Sequence, residues 1–183
     1  MRADCLKSKV LEKKGFTLIE LLVVLSVISL LLGIILPVTS KARQSAKRIV
    51  CASNLRQLGI GLRCYLDDNR QIMPPAAMRP SLNLNSDKPI TDFLLPYVDN
   101  PEVFKCPADM DEKFYRAEGS SYEYNSRLAG KVVTQTWLSK RLNAKERNIH
   151  VLYDYEPFHG KAGKKGGKNY LYADGHVGDL SDQ

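Results

Sequence analysis

The sequence predicts an α+β protein in which a long N-terminal helix, with a transmembrane first half, packs on a small antiparallel β-sheet. Three observations predict this fold class. Residues 16–36 carry a single charge, residues 51–65 place apolar side chains at helical spacing, and the pattern beyond residue 120 repeats every two residues. A helix with one apolar stripe must bury that stripe, and the face of a sheet can cover it.

The first element is the apolar run from Phe16 to Leu36, which contains 21 residues and one charge, that of Glu20. About 20 residues at about 1.5 Å rise each cross the hydrocarbon core of a bilayer, and a helix satisfies its own backbone polar groups in lipid. A secretory signal peptide is the alternative. It needs a shorter apolar core and a small-residue cleavage site, which residues 36–39 do not offer. We therefore predict a membrane-spanning helix.

The charges around this run predict its orientation. Residues 1–15 carry five basic and two acidic side chains, so +3 of the chain's formal charge of +7 lies there and +4 lies in the remainder. Basic residues stay on the cytoplasmic side of a membrane-spanning helix. The N-terminus is therefore expected in the cytoplasm and the C-terminal bulk on the other side of the membrane.

Glu20 indicates what kind of helix this is. An ionised carboxylate inside a bilayer costs on the order of 2.5–3.5 kcal/mol or more, so its presence predicts a function. The alternative is that Glu20 lies one turn inside the boundary and reaches back to the headgroups. The eight residues K-K-G-F-T-L-I-E at positions 13–20 resemble the leader of type IV prepilins and type II secretion pseudopilins.

That resemblance implies how the chain is processed and assembled. A prepilin peptidase would cut between Gly15 and Phe16 and methylate the new N-terminal Phe16. Glu20 would compensate the N-terminal amine of a neighbouring subunit, since two opposite charges in an apolar filament core cost less paired than apart. The family also implies a bacterial inner-membrane protein with a periplasmic C-terminal domain, and partners that include other pilin-like subunits and the secretion or pilus machinery of the inner membrane.

The helix is expected to continue beyond the membrane. Pro37 can kink it, and an apolar stripe follows, formed by Cys51, Leu55, Leu58, Leu62 and Tyr65. Gly59 and Gly61 weaken the helix by about 1 kcal/mol each, and Asn69 and Pro74-Pro75 end it. The predicted divisions are a cleaved leader at 1–15, the membrane and filament-core helix at 16–36, its extramembrane continuation at 37–70, and a globular pilin-like domain at 71–183.

A second resemblance covers most of the remaining chain. The sequence words at 51–62, 104–109, 121–125 and 159–177 are similar to a branch of pseudopilin-like proteins whose C-terminal motif is a histidine, a spacer and Asp-Gly. This chain departs from that motif in a longer spacer between His159 and Asp174. The Gly/Lys-rich segment Lys161–Lys168 supplies the extra length and reads as a flexible insertion.

Five segments have the composition and alternation of short strands. Asp174-Gly175, between the last two, predicts a hairpin with a type I′ turn, which requires positive φ at both central residues. The predicted strands are Ser121–Asn125, Lys131–Trp137, Asn148–Tyr155, Lys168–Ala173 and His176–Leu180.

The four cysteines allow one internal disulfide after processing, since Cys5 is lost with the leader. Cys51 and Cys64 are thirteen residues apart on one helix, about 20 Å along its axis, which exceeds the roughly 7 Å limit for a disulfide. Cys106 could pair with either of these cysteines in an oxidising compartment. Cys51 is the favoured partner because it lies on the apolar stripe. A buried free thiol is the alternative.

A divalent metal is considered at the C-terminal end of the chain, although no cofactor is required. The candidate ligands are Asp154, His159, Asp174 and His176, with Asp109 and Glu156 as further carboxylates. Calcium needs six to eight oxygen ligands, so the histidines favour a transition metal. The alternative is that Asp174 makes the turn and the histidines bond to loop carbonyls.

Catalysis and nucleic-acid binding have less support. No nucleophile elbow and no phosphate-binding loop occurs in the sequence, so no enzyme is predicted. Basic residues at 140–147 and 161–168 could contact DNA phosphates, but interspersed acidic residues favour a solvated surface, so nucleic acid is not predicted as a partner. The sequence predicts a structural subunit of a type II secretion pseudopilus for protein export. The alternatives are a minor type IV pilin for adhesion or DNA uptake, and a plain membrane-anchored binding domain.

Overall fold

The computed structural model describes residues 16–82, 88–135 and 146–179. Gly15 and the rest of the leader, Trp137, and the basic residues at 140–145 lie outside the described residues. The chain divides into two compact units, Met1–Lys41 and Ala42–Gln183. The helix and the sheet form the α+β, pilin-like arrangement that the sequence predicts.

Helix α1 runs from Leu18 to Asp68 and continues through Pro37. All five residues of the predicted stripe are buried, so its helical spacing is confirmed. The helix ends as predicted at Asn69, whose side-chain amide donates to the Tyr65 carbonyl at 2.8 Å. The next two residues adopt left-handed φ angles of 55° and 61°, which the helix cannot continue through.

Short helices connect α1 to the sheet. Helix α2 spans Ile90–Leu94 and helix α3 spans Lys113–Glu118. Single turns of 3₁₀-helix lie at Pro80–Leu82, Leu95–Tyr97, Pro101–Phe104, Met110–Glu112, Ser126–Leu128, Val133–Gln135 and Glu146–Asn148.

The sheet has four antiparallel strands in the order β1-β2-β3-β4. Strand β1 is Tyr122–Tyr124, β2 is His150–Asp154, β3 is Tyr170–Tyr172 and β4 is Val177–Gly178. Tyr124 pairs with Leu152, and Tyr153 pairs with Tyr170. Four of the five predicted strand segments therefore contain a strand, each shorter than predicted.

The fifth segment, Lys131–Trp137, is not a strand over the residues that the structure describes. Val133–Gln135 forms a 3₁₀ turn, and Val132 makes an isolated bridge to Ile72. The reason is that Met73, which follows α1, accepts from the Gly130 N–H at 3.1 Å and donates to the Lys131 carbonyl at 3.0 Å. The chain here pairs with the segment after the helix and has no place in the sheet.

The hairpin between β3 and β4 is present, but its turn is not of type I′. Gly175 has a φ of 91°, whereas Asp174 is not among the residues with positive φ. The Gly175 N–H donates to the Tyr172 carbonyl at 2.9 Å. One left-handed glycine after an ordinary turn is the usual alternative connection in hairpins.

The two helical glycines permit close packing. A Cβ atom on Gly59 would lie 2.8 Å from Cδ1 of Leu171 in β3, and one on Gly61 would lie 2.7 Å from Cγ2 of Val98. Leu171 is fully buried. The same glycines that lower helix propensity thus let the sheet and the loop after α2 approach the helix.

Candidate functional site

The start of α1 is closed by a capping box formed by Thr17 and Glu20. The Glu20 carboxylate accepts from the Thr17 backbone N–H at 2.9 Å and from its hydroxyl at 2.8 Å. In return, the Glu20 N–H donates to the Thr17 hydroxyl at 3.3 Å. The pattern T-x-x-E before an apolar run is a known sequence signature of such a cap, and the sequence interpretation above missed it.

The first part of α1, up to Leu36, is apolar on all sides and exposed. Its most apolar window has a mean hydropathy of 3.0 and is 0% buried within the protein. Phe16, directly before it, is 74% exposed. By length and composition this helix can cross a membrane, and with its N-terminal motif it points to membrane anchoring.

A second site lies in the interior of the C-terminal unit, where the middle of α1 meets the segment before α3. Cys51 and Cys106 form a disulfide with a Cα–Cα distance of 5.1 Å, and 55 positions separate them in sequence. Cys51 is fully buried on the stripe, and Cys106 is 3% exposed. Cys64 is exposed and is the free cysteine among the described residues, as expected from its position off the stripe.

His159 lies directly against this disulfide, and Asp154 lies against His159. His159 Nε2 is 3.5 Å from Cys106 Sγ and 3.4 Å from Asp154 Oδ2, and both side chains are fully buried. The backbone fixes both residues. Asp154 ends β2 and accepts from the Asn169 N–H at 2.7 Å, while the His159 N–H donates to the Gly167 carbonyl at 3.1 Å.

Two polar atoms of this pair are unsatisfied. Within the described part of the chain, Asp154 Oδ1 and His159 Nδ1 are buried without a hydrogen-bond partner. Burying a carboxylate oxygen or an imidazole nitrogen without a partner is unfavourable. Groups that remain in this state are candidates for a ligand or a proton that completes them.

The four predicted metal ligands do not form one site. Asp154 lies beside Tyr170 at the start of β3, whereas Asp174 and His176 lie in the turn after the end of β3. The two pairs therefore occupy opposite ends of the strand, because antiparallel pairing runs β2 back along β3. All four residues lie close to the predicted hairpin in sequence, so the sequence alone could not show that the two pairs are far apart.

Asp174 and His176 instead form a local surface pair. Their Oδ1 and Nδ1 atoms are 2.5 Å apart, and the imidazole stacks on the Tyr172 ring at 4.3 Å between centroids. Partial burial raises the pKa of Asp174, but hydrogen bonds from the His176 side chain and backbone outweigh it, and the pKa is lowered overall. This is the turn-making role given above as the alternative to a metal.

Asp109 and Glu156 are likewise held by protein contacts. The Asp109 carboxylate accepts from the Ser121 hydroxyl at 2.8 Å and from the Tyr115 N–H at 3.1 Å. Glu156 is paired on the surface with Lys113 at 3.6 Å. Neither carboxylate joins the histidines.

The Gly/Lys segment Lys161–Lys168 is anchored at several points. The Gly166 N–H donates to the Asp179 carboxylate, which also pairs with Arg48 of α1 at 3.4 Å. Burial lowers the pKa of Lys168, whose ammonium donates to the Tyr155 carbonyl at 2.7 Å. The segment lines a cavity of about 310 Å³. Residues 161–165 are exposed and Gly167 is buried, so the anchoring contacts lie at the end of the segment, and its flexibility stays a prediction.

Comparison with known protein families identifies the N-terminal segment. The family model described as the prokaryotic N-terminal methylation motif matches residues 12–36. Comparison with curated proteins found no match, and comparison with solved structures found none either. The chain thus has a prepilin-type methylation motif with a long N-terminal apolar helix, and it fits a type IV pilin-like protein. The motif implies processing by prepilin peptidase and assembly with other pilin subunits.

Proposed function

We propose that this protein is a structural subunit that prepilin peptidase trims between Gly15 and Phe16 and that assembles through its apolar helix into a type II secretion pseudopilus for protein export. The methylation motif at residues 12–36 is the observation that carries the proposal. The work of such a subunit is mechanical, so it requires neither a catalytic residue nor a cofactor.

The apolar helix serves two states of the subunit. Before assembly it anchors the chain in the inner membrane, with the leader in the cytoplasm and the C-terminal unit in the periplasm. In the filament the same side chains pack against those of neighbouring subunits. Both environments are apolar, so the exposed surface of Phe16–Leu36 is covered in each.

Glu20 links the two states. In the single chain its carboxylate caps the first turn of its own helix through Thr17. A neighbouring subunit offers a stronger partner in the methylated amine of Phe16, because a hydrogen bond between two charged groups exceeds one to a neutral N–H. Losing the negative charge at Glu20 removes this gain, while much of the local cap remains.

The test uses the native protein and one matched pair of variants. Wild-type chains from native membranes are expected to begin at Phe16 with one added methyl group, as read by intact mass and the N-terminal peptide. Glu20→Gln should be cleaved at the same position but fail to appear in sheared filaments. Thr17→Ser, which keeps the capping hydroxyl, should assemble like wild type.

Two outcomes would refute the proposal. A chain that retains residues 1–15 in cells with an active prepilin peptidase has no pilin-type maturation, and the helix is then a plain anchor. Normal filament assembly by Glu20→Gln would remove the assigned role of the carboxylate. A secretion defect on deletion of the gene, with surface pili intact, separates the pseudopilus from a minor pilin.

The minor-pilin alternative has one structural feature in its favour. Lys164 and Lys165 line the 310 Å³ cavity beside the Gly/Lys segment, where they could meet phosphate groups. Asp179 lines the same cavity and opposes this. If the alternative holds, the purified protein binds DNA, binding weakens steeply with salt, and Lys164→Glu abolishes it.

A further inference from the structure

We propose that Cys51, Cys106, His159 and Asp154 form a zinc site when the disulfide is reduced, so that the centre of the C-terminal unit has two exclusive states, a disulfide and a zinc dithiolate. The ligand atoms of the two cysteines and His159 lie within 4.8 Å of one another. This inference concerns the interior of the domain and does not depend on filament assembly.

The distances around His159 Nε2 fit a tetrahedral ion, whereas the two sulfurs, bonded at 2.05 Å in the disulfide, must move apart on reduction to about 3.8 Å. Zinc binds sulfur at about 2.3 Å and nitrogen or oxygen at about 2.0–2.2 Å. Neighbouring corners of such a tetrahedron are then about 3.6 Å apart for sulfur and nitrogen, and about 3.4 Å apart for nitrogen and oxygen. The observed distances from His159 Nε2 are 3.5 Å to Cys106 Sγ and 3.4 Å to Asp154 Oδ2.

Chemistry and burial point to the same ion. Two thiolates, one imidazole and one carboxylate are a donor set suited to zinc and poorly suited to calcium or magnesium. Asp154 Oδ1 has no hydrogen-bond partner in the described part of the chain, and a cation beside this carboxylate would offset the cost of burying it. With the imidazole proton on Nδ1, Nε2 is free to act as the ligand.

The redox step is balanced as follows. A dithiol reductant supplies two electrons and two protons, which convert the disulfide to two thiols as the reductant forms its own disulfide. Zinc then displaces the two thiol protons and binds the thiolates. A sulfur held in a disulfide is not a thiolate and cannot bind in this way, so oxidation releases the metal.

A surface cavity borders the proposed site. Cys106 lines a surface cavity of about 640 Å³ together with the carboxylates of Glu102, Asp109, Asp111 and Glu112. Lys105 and Arg116 line it as well, so the lining has four acidic and two basic side chains, and this excess of negative charge favours cations. The cavity borders Cys106, of which 3% is exposed to solvent.

The experiment uses the full chain in detergent, reduced anaerobically with a phosphine, which does not compete as a dithiolate for the metal. Reduced wild type is expected to retain one zinc per chain after desalting, measured by elemental analysis, and the oxidised protein none. With cobalt in place of zinc, the reduced protein should show the intense visible bands of tetrahedral cobalt and a sulfur-to-cobalt charge-transfer band.

Two matched sets of variants test the assignment. His159→Gln and Asp154→Asn remove buried ligands, and each should weaken zinc binding by more than about 100-fold, the upper range for residues that only support a ligand. His176→Gln and Asp174→Asn remove the exposed pair, and Cys64→Ser removes the exposed thiol. These three controls should bind like wild type.

Three outcomes would overturn the inference. The first is that reduced wild type retains no stoichiometric zinc. The second is a cobalt spectrum without a thiolate charge-transfer band. The third is that the buried and the exposed variants lose zinc binding equally. If a ligand variant does not fold, X-ray absorption on zinc-loaded wild type decides the matter. Two sulfur and two nitrogen or oxygen neighbours support the site, and any other ligand set refutes it.

Discussion

Removing the Cys51–Cys106 disulfide should destabilise the C-terminal unit strongly. The bond joins the middle of α1 to the segment before α3 across 55 positions. Closing a loop of that length in the unfolded chain removes entropy worth about 4 kcal/mol at 25 °C. This is a large part of the roughly 5–15 kcal/mol by which domains are usually stable.

The assay is urea unfolding of the full chain in a mild detergent, followed by circular dichroism with a metal chelator present so that zinc does not contribute. Cys51→Ala/Cys106→Ala should lower the free energy of unfolding by about 4 kcal/mol. It should also raise the m-value, because the unfolded chain without the cross-link exposes more surface. Cys64→Ala is the matched control and should change stability by less than about 0.5 kcal/mol.

A loss below about 1 kcal/mol would refute this reasoning. It would mean that the unfolded chain is already restricted near these residues or that the native unit does not depend on the bond. An unchanged m-value with a large loss would refute the entropic part alone, since the effect would then arise in the folded state.

Three further substitutions test contacts in the same unit by urea unfolding in detergent. Asp109→Ala should cost about 1–3 kcal/mol because it leaves the buried Ser121 hydroxyl without its acceptor, and Asp109→Asn should lose less. Burial lowers the pKa of His150 below its ordinary value, so the unfolded chain binds the extra proton first and stability falls as pH drops below about 6.5. His150→Gln should flatten that fall, and an unchanged pH profile would contradict it. Gly59→Ala should destabilise by about 1–3 kcal/mol through overpacking against Leu171, although helix propensity alone predicts a gain of about 1 kcal/mol. In a Leu171→Ala background, Gly59→Ala should instead raise the stability above that of Leu171→Ala alone, because the overpacked side chain is gone.

The buried pair, Asp154 and His159, and the exposed pair, Asp174 and His176, show which part of the site the sequence could not predict. Asp154, His159, Asp174 and His176 all lie within the last thirty residues, and composition alone treats them as one group. Antiparallel pairing of β2 with β3 separates them to opposite ends of a strand. In the folded domain Asp154 contacts His159, and His159 contacts Cys106, which is 53 positions away in sequence.

The prediction of a strand at 131–137 was wrong for a similar reason over the residues that the structure describes. Its β-branched residues, Val132, Val133, Thr134 and Thr136, give it the composition of a strand. The Lys131 carbonyl and the preceding Gly130 N–H, however, bond to Met73, which lies far away in sequence, shortly after α1. A local pattern does not state which partner is available for pairing.

The sequence by itself determined the features that depend on neighbours along the chain. These are the long apolar run, the N-terminal methylation motif, the stripe of α1 and the end of that helix at Asn69. Each follows from spacing within about four residues or from a continuous apolar stretch. Only the tertiary structure decided which cysteine pairs with Cys106, why Gly59 is required, and which acid faces His159. These depend on contacts between distant segments, and packing fixes such contacts only when the whole domain has folded.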